Sequence, residues 1–165
     1  MNLPKALIEE MEITVFVDLD HAHDKVSRRS STGILIVVGI TPVVYFSKRQ
    51  GAIETSTYGA EFCAMKNAVE ELIALQYMMR CLGVKVTLAS MVCGDNMGVV
   101  QNATISESLL KKKHVAISYH KTREAAAAGI AHPIKTGGVD NFADVLTKPQ
   151  TLKCFSTLVG GFMYG

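Results

Sequence analysis

A chain of 165 residues with 48% hydrophobic and 19% charged residues is long enough to bury a core and too apolar for a disordered segment. Its formal net charge of +2 is too small to mark a nucleic-acid binder by bulk electrostatics alone. The four cysteines, Cys63, Cys81, Cys93 and Cys154, form neither a CxxC pair nor a zinc-spaced Cys/His pattern, and no stretch reads as a secretory signal. Reduced, mostly buried thiols in a cytosolic or nuclear compartment are expected.

In chain order, "PKALIEEM" predicts a short helix and "EITVFVDLD" a strand rich in β-branched and aromatic residues. A polar loop, "HAHDKVSRRSST", follows. "GILIVVGI" and "PVVYFSK" predict the arms of a hairpin joined near Thr41-Pro42, and the whole apolar stretch is too short and broken to span a bilayer. The clearest helix is "TSTYGAEFCAMKNAVEELIALQYMMRCLG", with Ser56 or Thr57 as N-cap and Gly83 at its end. Phe62, Met65, Val69, Leu72, Ile73 and Met79 fall on one face of it. "VKVTLASMVC" predicts the next strand and "GDNMGVVQNAT" a turn into a short helix. "KKKHVAISYHKTREAAAAG" reads as a helix ended by Gly129, "IAHPIKT" as a last strand, and "VDNFADVLTK" as a last helix closed by Pro149. The tail "LKCFSTLVGGFMYG" predicts a further short helix. A hairpin-linked trio of strands followed by βα crossovers gives an α/β protein with a mixed sheet and helices packed on it.

Four acids occupy comparable places in this scheme: Asp18 in the first strand, Glu61 one turn into the long helix, Asp95 just past the fourth strand, and Asp144 in the last helix before the tail. Strand ends and helix starts converge in a crevice where a sheet is parallel. Four carboxylates there repel one another unless hard cations neutralise them, and oxygen-only ligands select Mg²⁺ or Mn²⁺. Two such ions about 4 Å apart clamp the attacking and leaving oxygens of a phosphodiester. The residues alone leave the alternative open that these are solvated surface acids. The dense run Asp18, Asp20, His21, His23, Asp24 narrows to Asp18. Asp20 shares its face and reads as a neighbour, while His21, His23 and Asp24 read as loop.

Taken in order, "VFVDLDHAHD", "RRSSTG", "YFSKRQ", "ETSTYGAEF", "CGDN", "KKKHVAISYHKTRE" and "NFADVLTKP" resemble the ribonuclease H domain of Ty1/copia-type LTR retrotransposon polyproteins, over about residues 13–150. The resemblance implies a ribonuclease H-like fold, a five-stranded mixed sheet whose first three strands are antiparallel and the rest parallel, flanked by helices, as one domain over 1–165. It implies an endoribonuclease that hydrolyses the RNA strand of RNA–DNA hybrids with two Mg²⁺ ions (Mn²⁺ as a substitute), leaving 3′-hydroxyl and 5′-phosphate ends. The family's metal-binding, catalytic acids match Asp18, Glu61, Asp95 and Asp144. The partners implied are the hybrid and a reverse transcriptase domain of the same polyprotein, with no membrane. The compartment implied is cytoplasm or nucleus, or a virus-like particle. A catalytically silent domain of the same fold that binds nucleic acid or a partner protein is the alternative.

Hybrid contacts are expected of Lys111, Lys112, Lys113 and Arg123, beside His114 and Lys121, although a run of charge is also what a solvated helix face looks like. Arg28, Arg29, Lys48 and Arg49 are weaker versions of the same idea. Thr57 sits at a helix N-terminus that suits a phosphate, and Asn96 is placed to bond nucleic acid or to orient Asp95. The chain departs from the family pattern in having His21 where tryptophan is frequent and Ala116 where an acid is frequent. The loop "KTGGVDN" lacks the histidine that cellular ribonucleases H carry there, and His132 lies upstream in a predicted strand.

Overall fold

The run "ITVFVDLD" alternates apolar residues that face inward with Phe16, Asp18 and Asp20 on the opposite side, and it forms strand β1 (Ile13–Asp20). In the computed structural model, which describes residues 10–21, 26–51, 53–54, 56–87, 89–105 and 116–163, β1 is the middle strand of a five-stranded sheet of order β3-β2-β1-β4-β5. The other strands are β2 (Ser31–Val38), β3 (Thr41–Arg49), β4 (Ser90–Gly94) and β5 (Ala131–Lys135). β1, β2 and β3 run antiparallel to one another, and β4 and β5 add in parallel to β1. The predicted mixed sheet, with its switch from antiparallel to parallel, is the one observed.

β2 is apolar and buried over nearly its whole length, as a strand covered on both faces must be. β3 alternates between half-buried and exposed positions and ends the sheet. The hairpin turn falls at Gly39-Ile40 rather than at Thr41-Pro42. Gly39 has φ +61°, a conformation glycine adopts at no steric cost, and Pro42 joins the edge strand, where a missing N–H is tolerated.

Helix α1 (Thr57–Cys81) crosses from β3 to β4 and lays Phe62, Met65, Val69 and Leu72 against Val15, Val17, Ile34 and Ile36 of the sheet. Ile73 and Met79 pack at the margin of that core. Each such buried side chain contributes about 1.5–3 kcal/mol. Ser56, not Thr57, caps α1: its hydroxyl accepts from the Gly59 N–H at 3.2 Å. Gly83 ends the helix at φ +76°.

β4 is shorter than "VKVTLASMVC" suggested. Ala89 has φ +58°, which breaks the extended run, and before it Val86 makes only an isolated parallel bridge with Met11. Helices α2 (Met97–Thr104) and α3 (Ala116–Ala127) cross from β4 to β5, and Gly129 follows α3 at φ +66°.

The predicted helix over "VDNFADVLTK" is instead two short 3-10 turns, Gly138–Asp140 and Phe142–Leu146. Asn141 separates them because its side chain is drawn into the core, as described below. Helix α4 (Leu152–Met163) follows as expected. Of the cysteines only Cys93 is buried; Cys63 and Cys154 are half-buried and Cys81 is exposed, all as free thiols. A 25-residue helix does not force every thiol inward, and Cys81 lies on its last turn. The "PKALIEEM" helix, His23, Asp24, Lys111, Lys112, Lys113 and His114 lie outside the described residues. No described helix is long and apolar enough to cross a membrane.

Candidate active site

Parallel pairing places the first and third acids level with each other. Phe16 is opposite Cys93 in the β1–β4 register, so Asp18 and Asp95 each lie two residues further along, at the C-terminal ends of adjacent parallel strands. That is where open α/β sheets form their crevices. Asp18 is buried, at 3% exposure, and Asp95 is exposed.

Glu61 enters from α1. With Asp18, Asp95, Asn96, Met65 and Gly94 it lines a cavity of about 20 Å³, space for a single water or ion. Burial and then the neighbouring charge of Asp95 push the Glu61 carboxyl up to about 7, against a hydrogen bond from Asn96 that favours ionisation. Asn96 also caps α2, its side-chain oxygen accepting from Gly98 N at 2.8 Å and Val99 N at 3.3 Å. One oxygen of Glu61, Oε2, is buried without a hydrogen-bond partner.

Asp144 approaches Asp18 from the other side, on the second 3-10 turn. Three contacts set its position. Asn141 is fully buried and donates from Nδ2 to the carbonyl of Val17 at 3.0 Å, while its Oδ1 accepts from Ala143 N at 3.3 Å. Phe142 meets Phe16 edge to face at 4.9 Å between ring centres. Gly33, which pairs with Asp18 across β1–β2, leaves room for the backbone of Ala143 and the side chains of Leu146 and Thr147.

Lys148 lies between the two aspartates. Its ammonium is 3.3 and 3.2 Å from the two oxygens of Asp18 and 2.6 Å from Oδ1 of Asp144. The Thr147 hydroxyl donates to Asp18, and the Gln150 amide donates to Asp144. Burial raises the Asp18 carboxyl above its ordinary range, although Thr147 and Lys148 oppose this. Burial also disfavours the charged form of Lys148, but the hydrogen bond to Asp144 and the charge of Asp18 outweigh it and hold the amine above its ordinary value.

The four acids singled out in the sequence thus flank one crevice in two groups that share Asp18: Glu61 and Asp95 on one side, Asp144 and Lys148 on the other. Among the described residues no three acidic, histidine or cysteine side chains converge closely enough to hold a metal ion as they stand. The donors nevertheless fit a hard divalent cation. They are all oxygens, and Glu61 presents a buried oxygen with no partner at the cavity wall.

The remaining predicted residues are placed apart or engaged otherwise. Thr57 is exposed on the first turn of α1. Arg123 donates from Nη1 to the carbonyls of Asn102 (2.9 Å) and Ile105 (2.7 Å) and to the Tyr119 hydroxyl (2.9 Å), tying α3 to the end of α2. Nδ1 of His21 is 3.3 Å from the Ser30 hydroxyl. His132 is exposed on β5, beside His120 and Glu124. Arg28, Lys48 and Arg49 are exposed. Sequence reasoning missed Gly33, Asn141, Thr147, Lys148 and Gln150. The Asp144–Lys148 spacing of i,i+4 was a legible signal for one of them.

No protein-family model matches the chain. Over 145 residues, 88% of the chain, it is 27% identical to the retrovirus-related Pol polyprotein from transposon RE1 of Arabidopsis thaliana. Over 133 residues, 81% of the chain, it is 29% identical to that from transposon TNT 1-94 of Nicotiana tabacum. It spans about 10% of the length of these relatives. Among solved structures, the N-terminal RNase H domain of a Mycobacterium tuberculosis protein is similar with a TM-score of 0.61 at 12% identity, over 91% of this chain and 97% of that one. An RNase H1 isolated from compost is similar with a TM-score of 0.59 at 17% identity, over 82% and 91%. By sequence the chain is similar to retrovirus-related Pol polyproteins from plant transposons, and it has a ribonuclease H-like fold.

Proposed function

We propose that this chain, as one domain over residues 1–165, is a divalent-metal-dependent endoribonuclease. It hydrolyses the RNA strand of RNA–DNA hybrids and leaves 3′-hydroxyl and 5′-phosphate ends. The observation that carries the reading is the sharing of Asp18 between two groups of acids at the C-terminal ends of β1 and β4.

In this reading Asp18, Glu61, Asp95 and Asp144 would hold two Mg²⁺ ions, which would supply a water of lowered pKa and charge stabilisation for the departing 3′-oxygen. Mn²⁺, with the same preference for oxygen donors, substitutes. The buried carboxylate of Asp18 and the half-buried one of Glu61 act where solvent screens little. Asn96 orients Glu61 while fixing the start of α2. Asn141 fixes the strand that carries Asp18 against the turn that carries Asp144. The RNA strand is told from DNA through its 2′-hydroxyls. Thr57, Asn96 and the basic run Lys111 to Lys113 contact the hybrid. In this reading a reverse transcriptase domain of the same polyprotein is the partner, and the setting is the cytoplasm or nucleus, or a virus-like particle where the chain is part of a retroelement.

One observation favours a second reading, a silent domain that only binds nucleic acid: Lys148 sits between Asp18 and Asp144. The test is incubation with labelled RNA–DNA hybrid, duplex DNA and single-stranded RNA, in Mg²⁺ or in EDTA, with Asp95→Asn alongside. Cleavage of the hybrid alone, lost in EDTA and in Asp95→Asn, is expected. Cleavage that survives either treatment overturns the metal reading. Tight hybrid binding without cleavage favours the silent domain.

A further inference from the structure

We propose that the Lys148 ammonium is a tethered counter-ion: it holds the Asp18–Asp144 half of the site together until a divalent cation displaces it, so ions enter that half only in competition with the lysine. The inference rests on the reading of the four acids as metal ligands.

The geometry is that of a bridging cation. Nζ contacts both oxygens of Asp18, at 3.3 and 3.2 Å, and one oxygen of Asp144 at 2.6 Å. The Asp18 side chain is 2% exposed, and a buried carboxylate needs a charged or hydrogen-bonding partner. Lys148 and Thr147 supply both. A divalent cation held by Asp18 and Asp144 would draw on the same carboxylate oxygens. An ammonium and a divalent ion cannot share that position, because like charges so close repel strongly in a poorly screened site.

Lys148 is built to leave. Its side chain is 40% exposed, whereas that of Asp18 is 2% exposed, so the four-carbon stem has solvent on one side into which it can swing. The lysine sits just past the 3-10 turn that carries Asp144, so release of the ammonium requires no movement of β1. Among the described residues no lysine or arginine lines the other half of the site, the cavity between Glu61, Asp95 and Asp18, and Glu61 Oε2 is without a partner there. The two halves therefore differ in what an arriving ion meets. One offers an oxygen with no partner, and the other an ion pair to be broken.

The test measures Mg²⁺ binding to metal-free protein without nucleic acid, by titration calorimetry, in the wild type, Lys148→Met and Lys148→Arg. An ammonium seated about nine times in ten weakens the apparent affinity about tenfold. Lys148→Met is therefore expected to bind Mg²⁺ about tenfold tighter, and Lys148→Arg to stay near the wild type. Equal or weaker binding by Lys148→Met overturns the proposal. A second measurement uses the unaltered protein and so does not depend on how the variants fold. Lysines are acetylated with an N-hydroxysuccinimide ester and followed by mass spectrometry. Mg²⁺ is expected to raise the labelling rate of Lys148 several-fold while Lys66, paired with Glu70 on α1 at 3.0 Å, stays constant. If Mg²⁺ binds and Lys148 labelling does not change, this inference fails and the metal reading stands. If the wild type binds no Mg²⁺ with or without hybrid, both fail.

Discussion

A methyl group placed on Gly33 would lie 2.8 Å from Cγ2 of Thr147 and 3.0 Å from the carbonyl oxygen of Ala143. Here the turn that carries Asp144 is packed against β2, at the residue that pairs with Asp18 of β1. Gly33→Ala is expected to push the 3-10 turn away from the sheet and to destabilise by about 1–3 kcal/mol. Thr147 would lose its bond to Asp18 as the turn moves. Hybrid cleavage should therefore fall further than stability does. Denaturant unfolding and cleavage rates measured on the same variant check this, and wild-type cleavage in a destabilised Gly33→Ala would remove the glycine from the site's architecture.

Asn141 joins residues 124 apart in sequence through its bond to Val17. Asn141→Ala strips a buried carbonyl of its donor and the second 3-10 turn of its cap. A cost of about 1–3 kcal/mol is expected from the unsatisfied carbonyl. Asn141→Asp keeps an acceptor for Ala143 N but offers the Val17 carbonyl no N–H, so it should not restore stability. Urea denaturation of both variants decides it; full recovery in Asn141→Asp would mean that the cap, not the Val17 bond, dominates.

Stability in the absence of metal is expected to fall as pH rises from about 4.5 to about 7, the window over which Glu61 holds its proton in the folded chain but not in the unfolded one. The sign follows because the folded state binds the extra proton, so its advantage is complete below the ordinary carboxyl range and is lost as pH climbs through the raised value. The span of the shift sets a ceiling of about 3 kcal/mol, and because Glu61 is only half-buried, solvent screening leaves its contribution well below that ceiling. Melting temperatures of the wild type and Glu61→Gln across this range should diverge, the variant lacking this part of the slope. Added Mg²⁺ should flatten the wild-type curve, since a cation favours the ionised carboxyl. Parallel curves for the two proteins would remove Glu61 as the cause.

Arg123 offers a way to tell a structural arginine from a phosphate contact. Its guanidinium bonds two carbonyls at the end of α2 and stacks over Tyr119, 5.0 Å from the ring centre. Arg123→Ala is expected to cost about 1–3 kcal/mol of stability, because charged hydrogen bonds to carbonyls are lost. The salt dependence of hybrid affinity should stay unchanged. A reduced salt slope at unchanged stability would instead assign Arg123 to the phosphates.

The sequence by itself determined the succession of strands and helices, the mixed character of the sheet and the long helix, because these rest on local patterns and connection lengths, whereas the spatial order β3-β2-β1-β4-β5 came from the tertiary structure. β1 alternates, β2 is an unbroken apolar run, and α1 repeats its apolar residues every three to four positions. Asp18, Glu61, Asp95 and Asp144 were singled out by their places beside strand ends and helix starts together with the resemblance to ribonuclease H domains, whereas the residues alone left solvated surface acids as the alternative. Boundaries set by backbone conformation were not legible. The break at Ala89 depends on a positive φ that alanine does not signal, and the turn at Gly39 lies inside an apolar run that masked its glycine. Apart from the i,i+4 pair of Asp144 and Lys148, the partners of the acids were decided by tertiary structure. Asn141 reaches Val17, Gly33 admits Thr147, and Lys148 closes on Asp18 across 130 residues. Such contacts exist only once β1, β2 and the last 3-10 turn are stacked, because each joins groups that no local periodicity brings together.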